Sequence, residues 1–150
     1  MTQRRSIWFA LCCISAAALT ATDTAGAQPD MIAAAGDTAE LARQYRQYRR
    51  ELQAGSAARQ AQLRDWRGPL HEVMASLRER LASGRHTYAE VLALMGPPDQ
   101  TIAAGSAHNG RPVPPGTPLL IYWWRGGHDC LELRVRAGLI ESAQWYYAGE

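Results

Sequence analysis

Lysine is missing from this chain: all sixteen basic residues are arginine. Schiff-base chemistry and the lysine of a P-loop are thereby excluded. Phenylalanine occurs once and cysteine three times. Cys12 and Cys13 sit in an N-terminal apolar run, so the rest of the chain holds Cys130 alone. A single cysteine has no intramolecular disulfide partner, and in a strand-like stretch it reads as a small buried hydrophobe. Excess charge is also scarce. Sixteen Arg against fourteen Asp and Glu leave a net charge of +2, short of the surplus a general nucleic-acid binder needs.

Catalytic and metal-ligand patterns are equally sparse. Among His71, His86, His108, His128, Asp129 and Cys130, only His128-Asp129-Cys130 form a cluster, and contiguous residues of a strand point alternately to opposite faces. No Cys-x-x-Cys or His-x-x-x-His spacing accompanies it. No Gly-x-Ser-x-Gly elbow is present, and no carboxylate pair stands out from helix-surface charges such as Glu72 and Glu79. The reading is a protein with no enzymatic activity, no metal and no cofactor.

Residues 1–27 have the three parts of a secretory signal peptide. Arg4 and Arg5 give the positive start, Ile7 to Leu19 the apolar run, and Ala25-Gly26-Ala27 the small-residue site. The apolar run is shorter than the ~20 residues a membrane span requires. Cleavage between Ala27 and Gln28 predicts a periplasmic protein, and about 123 residues remain, enough for one modest core. Residues 28–36 read as a flexible spacer.

Asp37, with Glu40 three residues on, has the capping-box spacing that opens a helix. Leu41, Tyr45, Tyr48 and Leu52 then recur on one stripe up to Ala54. Gly55 ends that helix and Ser56 caps a second one, to about Arg67, so 37–67 reads as a basic helical extension. The main domain is expected over 68–150. Pro69 suits the first turn of a helix bearing Leu70, Val73, Met74, Leu77 and Leu81, with a stop at Ser83-Gly84. Thr87 and Glu90 form a second capping box, and Gly96-Pro97-Pro98 closes the helix that follows.

Residues 105–118 are rich in Gly and Pro and read as a long loop, after a short edge strand at Thr101–Ala104. Leu119 to Trp124, Cys130 to Arg136 and Leu139 to Tyr147 read as three strands, joined by turns at Arg125–His128 and Ala137-Gly138. The predicted architecture is α+β: two helices packed on a three-stranded antiparallel meander (ααβββ), preceded by the extra helical segment. Leu131, Leu133 and Val135 should face the helices. The outer face is assigned Tyr122, Trp124, Arg134, Arg136, Gln144 and Tyr146. Aromatic residues interleaved with arginine are the composition of protein-binding surfaces. A different candidate is Arg43, Arg46, Arg49 and Arg50 on the first helix, which suit an anionic membrane surface.

The run Thr87-Tyr88-Ala89-Glu90-Val91-Leu92-Ala93-Leu94-Met95-Gly96-Pro97-Pro98-Asp99, followed by an aromatic strand, a hairpin and a Gly turn, resembles the SmpA/OmlA-like (BamE-like) domain of bacterial envelope proteins. The likeness covers about residues 70–147. It implies an ααβββ protein-interaction module without chemistry of its own, whose partner is another envelope protein, in a role tied to outer-membrane assembly or maintenance. A related architecture inhibits a hydrolase through its sheet face, so inhibition of a periplasmic hydrolase is a further expectation. The chain differs from that family in lacking a lipid-attachment cysteine and in adding residues 37–67.

Overall fold

A computed structural model describes residues 29–82 and 86–149. The signal peptide over 1–27, its cleavage point at Ala27/Gln28 and the helix stop at Ser83-Gly84 lie outside them. Four helices come first: α1 Pro29–Ala54, α2 Ala57–Arg64, α3 Pro69–Leu81 and α4 Tyr88–Met95. Six strands follow: β1 Gln100–Ile102, β2 Ala107–His108, β3 Arg111–Pro112, β4 Leu119–Arg125, β5 Asp129–Arg136 and β6 Leu139–Tyr146. The fold is α+β with an antiparallel sheet, as expected. That sheet has four strands in the order β1-β4-β5-β6, and β2 and β3 make a second, two-stranded one.

Local chemistry sets the helix ends. Ser56 accepts a hydrogen bond from the Arg59 amide at the start of α2, and Pro69 opens α3. At α4 both halves of the capping box form: Thr87 Oγ1 accepts from the Glu90 amide, and the Glu90 carboxylate accepts from the Thr87 amide. Gly96 stops α4 with φ at +78°, a region costly to any residue bearing a Cβ. α1 differs from the expectation. It runs from Pro29, so the backbone of residues 29–36 is helical rather than a spacer, and Asp37 lies inside the helix instead of capping it.

The stripe on α1 packs as its spacing predicts. Tyr45 is buried, and Leu41, Tyr48 and Leu52 pack around it. Leu63 of α2 is buried in the same core, together with Leu70, Met74, Leu77 and Leu81 of α3 and Leu131, Leu133 and Val135 of β5. Residues 37–67 thus share one core with the sheet. Burial of this apolar surface is the main force holding the helices to it.

Two assignments are corrected here. Tyr122 and Trp124 do not lie on the outer face. Tyr122 pairs with Leu131 across the β4–β5 hairpin, and residues paired directly across a ladder share a face. Both rings are therefore buried under the helices, at 0% and 1% exposure. The outward residues of β4 are Leu119, Ile121 and Trp123. The outer face is also covered in part. The 105–118 segment holds the β2–β3 hairpin, turning at Asn109 and Gly110, both with positive φ. Asn-Gly is the strongest short hairpin signature. Its arm brings Val113 onto Leu119, Ile121 and Cys130, with Ile102, Trp123 and Tyr146 packed around them. The sheet is the middle layer, between helices on one side and a small second core on the other.

Candidate functional site

Four of the six residues assigned to the outer face lie there: Arg134, Arg136, Gln144 and Tyr146. Glu132 pairs with Gln144, and Cys130 with Tyr146, on one outward row. Gln144 and Arg136 are exposed, and Arg134 and Tyr146 are half-buried. Arg136 is held by Glu141 at 3.0 Å. Arg111 of the hairpin places its guanidinium 4.8 Å from the centre of the Tyr146 ring, a cation–π contact. The face is a mix of arginine and aromatic rings, with Trp123 in place of Tyr122 and Trp124.

The most exposed large apolar side chain among the described residues is elsewhere. Trp66 leaves 51% of its surface to solvent. It occupies the tight turn between α2 and α3, where Arg67 has positive φ and the Gly68 amide donates to the Asp65 carbonyl at 2.9 Å. A Cβ at Gly68 would lie 2.5 Å from the Gln62 carbonyl oxygen, so the turn needs glycine. The Trp66 ring is not loose. Its centre lies 4.8 Å from His71, 5.4 Å from Tyr147 and 5.8 Å from Trp124. Trp124 donates through its indole N–H to the Leu63 carbonyl at 3.3 Å. Trp145 stacks on His71 at 5.0 Å.

Beside Trp66 is an open cleft of about 420 Å³ lined by Trp66, Arg125, Asp129, Tyr147, Ala148 and Gly149. Arg125 lies over Trp124 at 4.6 Å and bonds Asp129 through its Nε at 2.7 Å. Burial alone would raise the Asp129 pKa, but hydrogen bonds from Arg125, His128 and the Ala148 amide hold it below the usual carboxylate range. Asp129 is therefore an ionised, fully engaged buttress rather than an acid–base group. Burial pushes His71 below the ordinary histidine range, with nearby Glu72 opposing it. Its Nε2 reaches the Tyr147 hydroxyl at 3.4 Å, and its Nδ1 is buried without a hydrogen-bond partner. The arrangement offers a rigid aromatic platform with one cation at its rim. Its sequence mark was Trp66 itself, the only tryptophan of the helical half beyond residue 8 and set beside Gly68-Pro69.

The four helix arginines divide. Arg46 donates to the carbonyls of Ala93 and Leu94 at the end of α4. Arg49 donates to the Trp123 carbonyl at 2.9 Å and pairs with Asp99. Asp99 in turn accepts from the Trp123 amide at 2.7 Å. The Arg49–Asp99 pair thus satisfies both backbone groups of Trp123 where β4 runs on beyond short β1. Arg43, Arg46 and Arg50 are exposed and Arg49 is half-buried, but the Arg46 guanidinium is committed to the α4 carbonyls and Arg43 pairs with Glu40 on its own helix. As a lipid-facing patch the group loses Arg46 and Arg49 to the fold.

Contiguous spacing suggested no metal-ligand set, but the fold brings together three residues distant in sequence. His108, Cys130 and Glu132 meet beneath the hairpin. Cys130 is buried as expected, and burial pushes its thiol up to about 12. Among the described residues, no helix is long and apolar enough to cross a membrane. No family model, curated protein or solved structure gives a significant match to this chain.

Proposed function

We propose that this chain is an exported, non-enzymatic protein-interaction module of the bacterial cell envelope, built on an SmpA/OmlA-like ααβββ unit formed by α3, α4 and β4–β6. The observation that carries the reading is Trp66: half its surface is open to solvent, yet three neighbouring rings hold it in place. Pre-ordered aromatic anchors of this kind, flanked by arginine, supply most of the energy in protein–protein contacts. Arg125 and Tyr147 extend the anchor along the cleft. The partner is another envelope protein, and the role is tied to outer-membrane assembly or maintenance. The outer-face residues Trp123, Arg134, Gln144 and Tyr146, on the opposite side of the sheet, form a second, separate surface.

A photo-crosslinking residue placed at Trp66 in the native envelope, with a second strain carrying it at Tyr48 on α1, tests the proposal. Mass spectrometry should find a discrete protein adduct from position 66. Lipid labelling from position 48, with no protein adduct from 66 in a correctly folded protein, would instead favour a membrane-surface role through Arg43 and Arg50.

A further inference from the structure

The hairpin side of the sheet holds a set of groups that the binding role does not use. Cys130 and Glu132 stand two apart on β5, so their side chains emerge on one face. The β2–β3 hairpin lays His108 over them. All three are buried, and one potential ligand atom from each lies within 4.8 Å of the other two. His108 Nε2 is 3.6 Å from Glu132 Oε1. Arg111 donates to that same Oε1 at 2.6 Å and so fixes the carboxylate. Asn109 Nδ2 lies 2.9 Å from His108 Nε2. A cavity of about 40 Å³, lined by residues including His108, Arg111, Val113, Glu132 and Arg134, adjoins the group. That is room for one water-sized ligand.

We propose that His108, Cys130 and Glu132 are the three protein ligands of a zinc-type divalent metal site that pins the hairpin to the sheet. One thiolate, one imidazole and one carboxylate make a borderline-soft donor set. It suits Zn²⁺ and not the hard cations Mg²⁺ and Ca²⁺, which take oxygen ligands. A tetrahedral zinc with bonds of about 2.0–2.3 Å sets its ligands roughly 3.3–3.7 Å apart, so the trio closes by about 1 Å on binding. The hairpin, with two-residue strands, is the element that moves. On binding, the Cys130 thiol gives its proton to solvent and its sulfur pair to the metal. His108 Nε2 exchanges its contact with Asn109 for the metal, and water completes the four positions. Thiolate and carboxylate offset the dication. Arg111, with 53% of its side chain exposed, keeps its charge at the water boundary and orients Glu132 as an outer partner.

The test uses the exported protein, reduced, stripped with chelator and titrated with Co²⁺ and then Zn²⁺. One Co²⁺ per chain should bind with a near-ultraviolet thiolate-to-cobalt charge-transfer band. Zn²⁺ should displace it and raise the thermal midpoint, because a ligand of the native state stabilises it. Cys130→Ser should abolish the band. His108→Ala and Glu132→Gln should each weaken Zn²⁺ binding by at least about tenfold, the loss that even an outer partner produces. His86→Ala, distant from the site, should change nothing. The unmodified protein decides the matter even if a variant fails to fold. Native circular dichroism with no thiolate band and no zinc-dependent shift of the midpoint would overturn the site. A band unchanged in His108→Ala would overturn this ligand set.

Discussion

Asp99→Ala probes how the open edge of the sheet is closed. β1 begins at Gln100, opposite Ile121, and β4 continues past that end as Tyr122 to Arg125, so an unpaired edge is exposed to pairing with another chain. The Asp99 carboxylate takes the Trp123 N–H and the Arg49 guanidinium supplies the Trp123 carbonyl, while the two side chains bond one another. Together they take the place of a neighbouring strand. A hydrogen bond to a charged group contributes about 1.5–3 kcal/mol. The side chains of Arg49 and Asp99 are 25% and 21% exposed, so solvent screening favours the low end of that range. Asp99→Ala should therefore cost about 2 kcal/mol, and Arg49→Ala about 1–2 kcal/mol, on the same scale. Because both act through one clasp, the double variant should lose less than the sum, with a coupling of about 1 kcal/mol. Urea unfolding followed by tryptophan fluorescence measures all four corners of the cycle. The thermal midpoint of Asp99→Ala should fall by roughly 6–10 °C for a domain of this size. Strict additivity of the two substitutions, or a loss below about 0.5 kcal/mol for Asp99→Ala, would refute the clasp.

Two further outcomes follow from the aromatic cluster. Trp124→Ala removes a fully buried ring that touches His71, Trp66 and Trp145, and should cost about 3–5 kcal/mol in the same urea assay; half-exposed Trp66→Ala should cost much less, and equal losses would contradict the packing described. The folded pKa of His71 lies below its unfolded value, so its neutral form's stability is full above the unfolded pKa of about 6.5 and declines as pH falls through it towards the folded value. Unfolding between pH 7 and 5 should show His71→Phe retaining more of its pH 7 stability than the unmodified protein, and parallel profiles would sink that account.

The sequence by itself determined the elements whose chemistry is local. The Thr87–Glu90 capping box, Pro69 at a helix start, Gly96 past a helix end and the Ala137-Gly138 turn each act through neighbouring backbone groups, and each was legible. So was the inward face of β5, because Leu131, Leu133 and Val135 alternate with charged residues. β4 carried no such mark. Leu119 to Trp124 is apolar at every position, so no period tells one face from the other; its pairing across the Arg125–His128 turn, opposite Leu131, decided that Tyr122 and Trp124 go in and Trp123 out. The arginines of α1 look alike in sequence, yet Arg49 is committed to Asp99 and the Trp123 carbonyl, and Arg46 to the end of α4, which no spacing within one helix encodes. Tertiary structure alone made the Trp66 cluster, from a turn, a helix and two strands. It also gathered His108, Cys130 and Glu132, because an Asn-Gly turn folds an apparent loop back over the sheet. Contacts between distant residues depend on which elements pair, and pairing follows from burying the whole core rather than from any one segment's pattern.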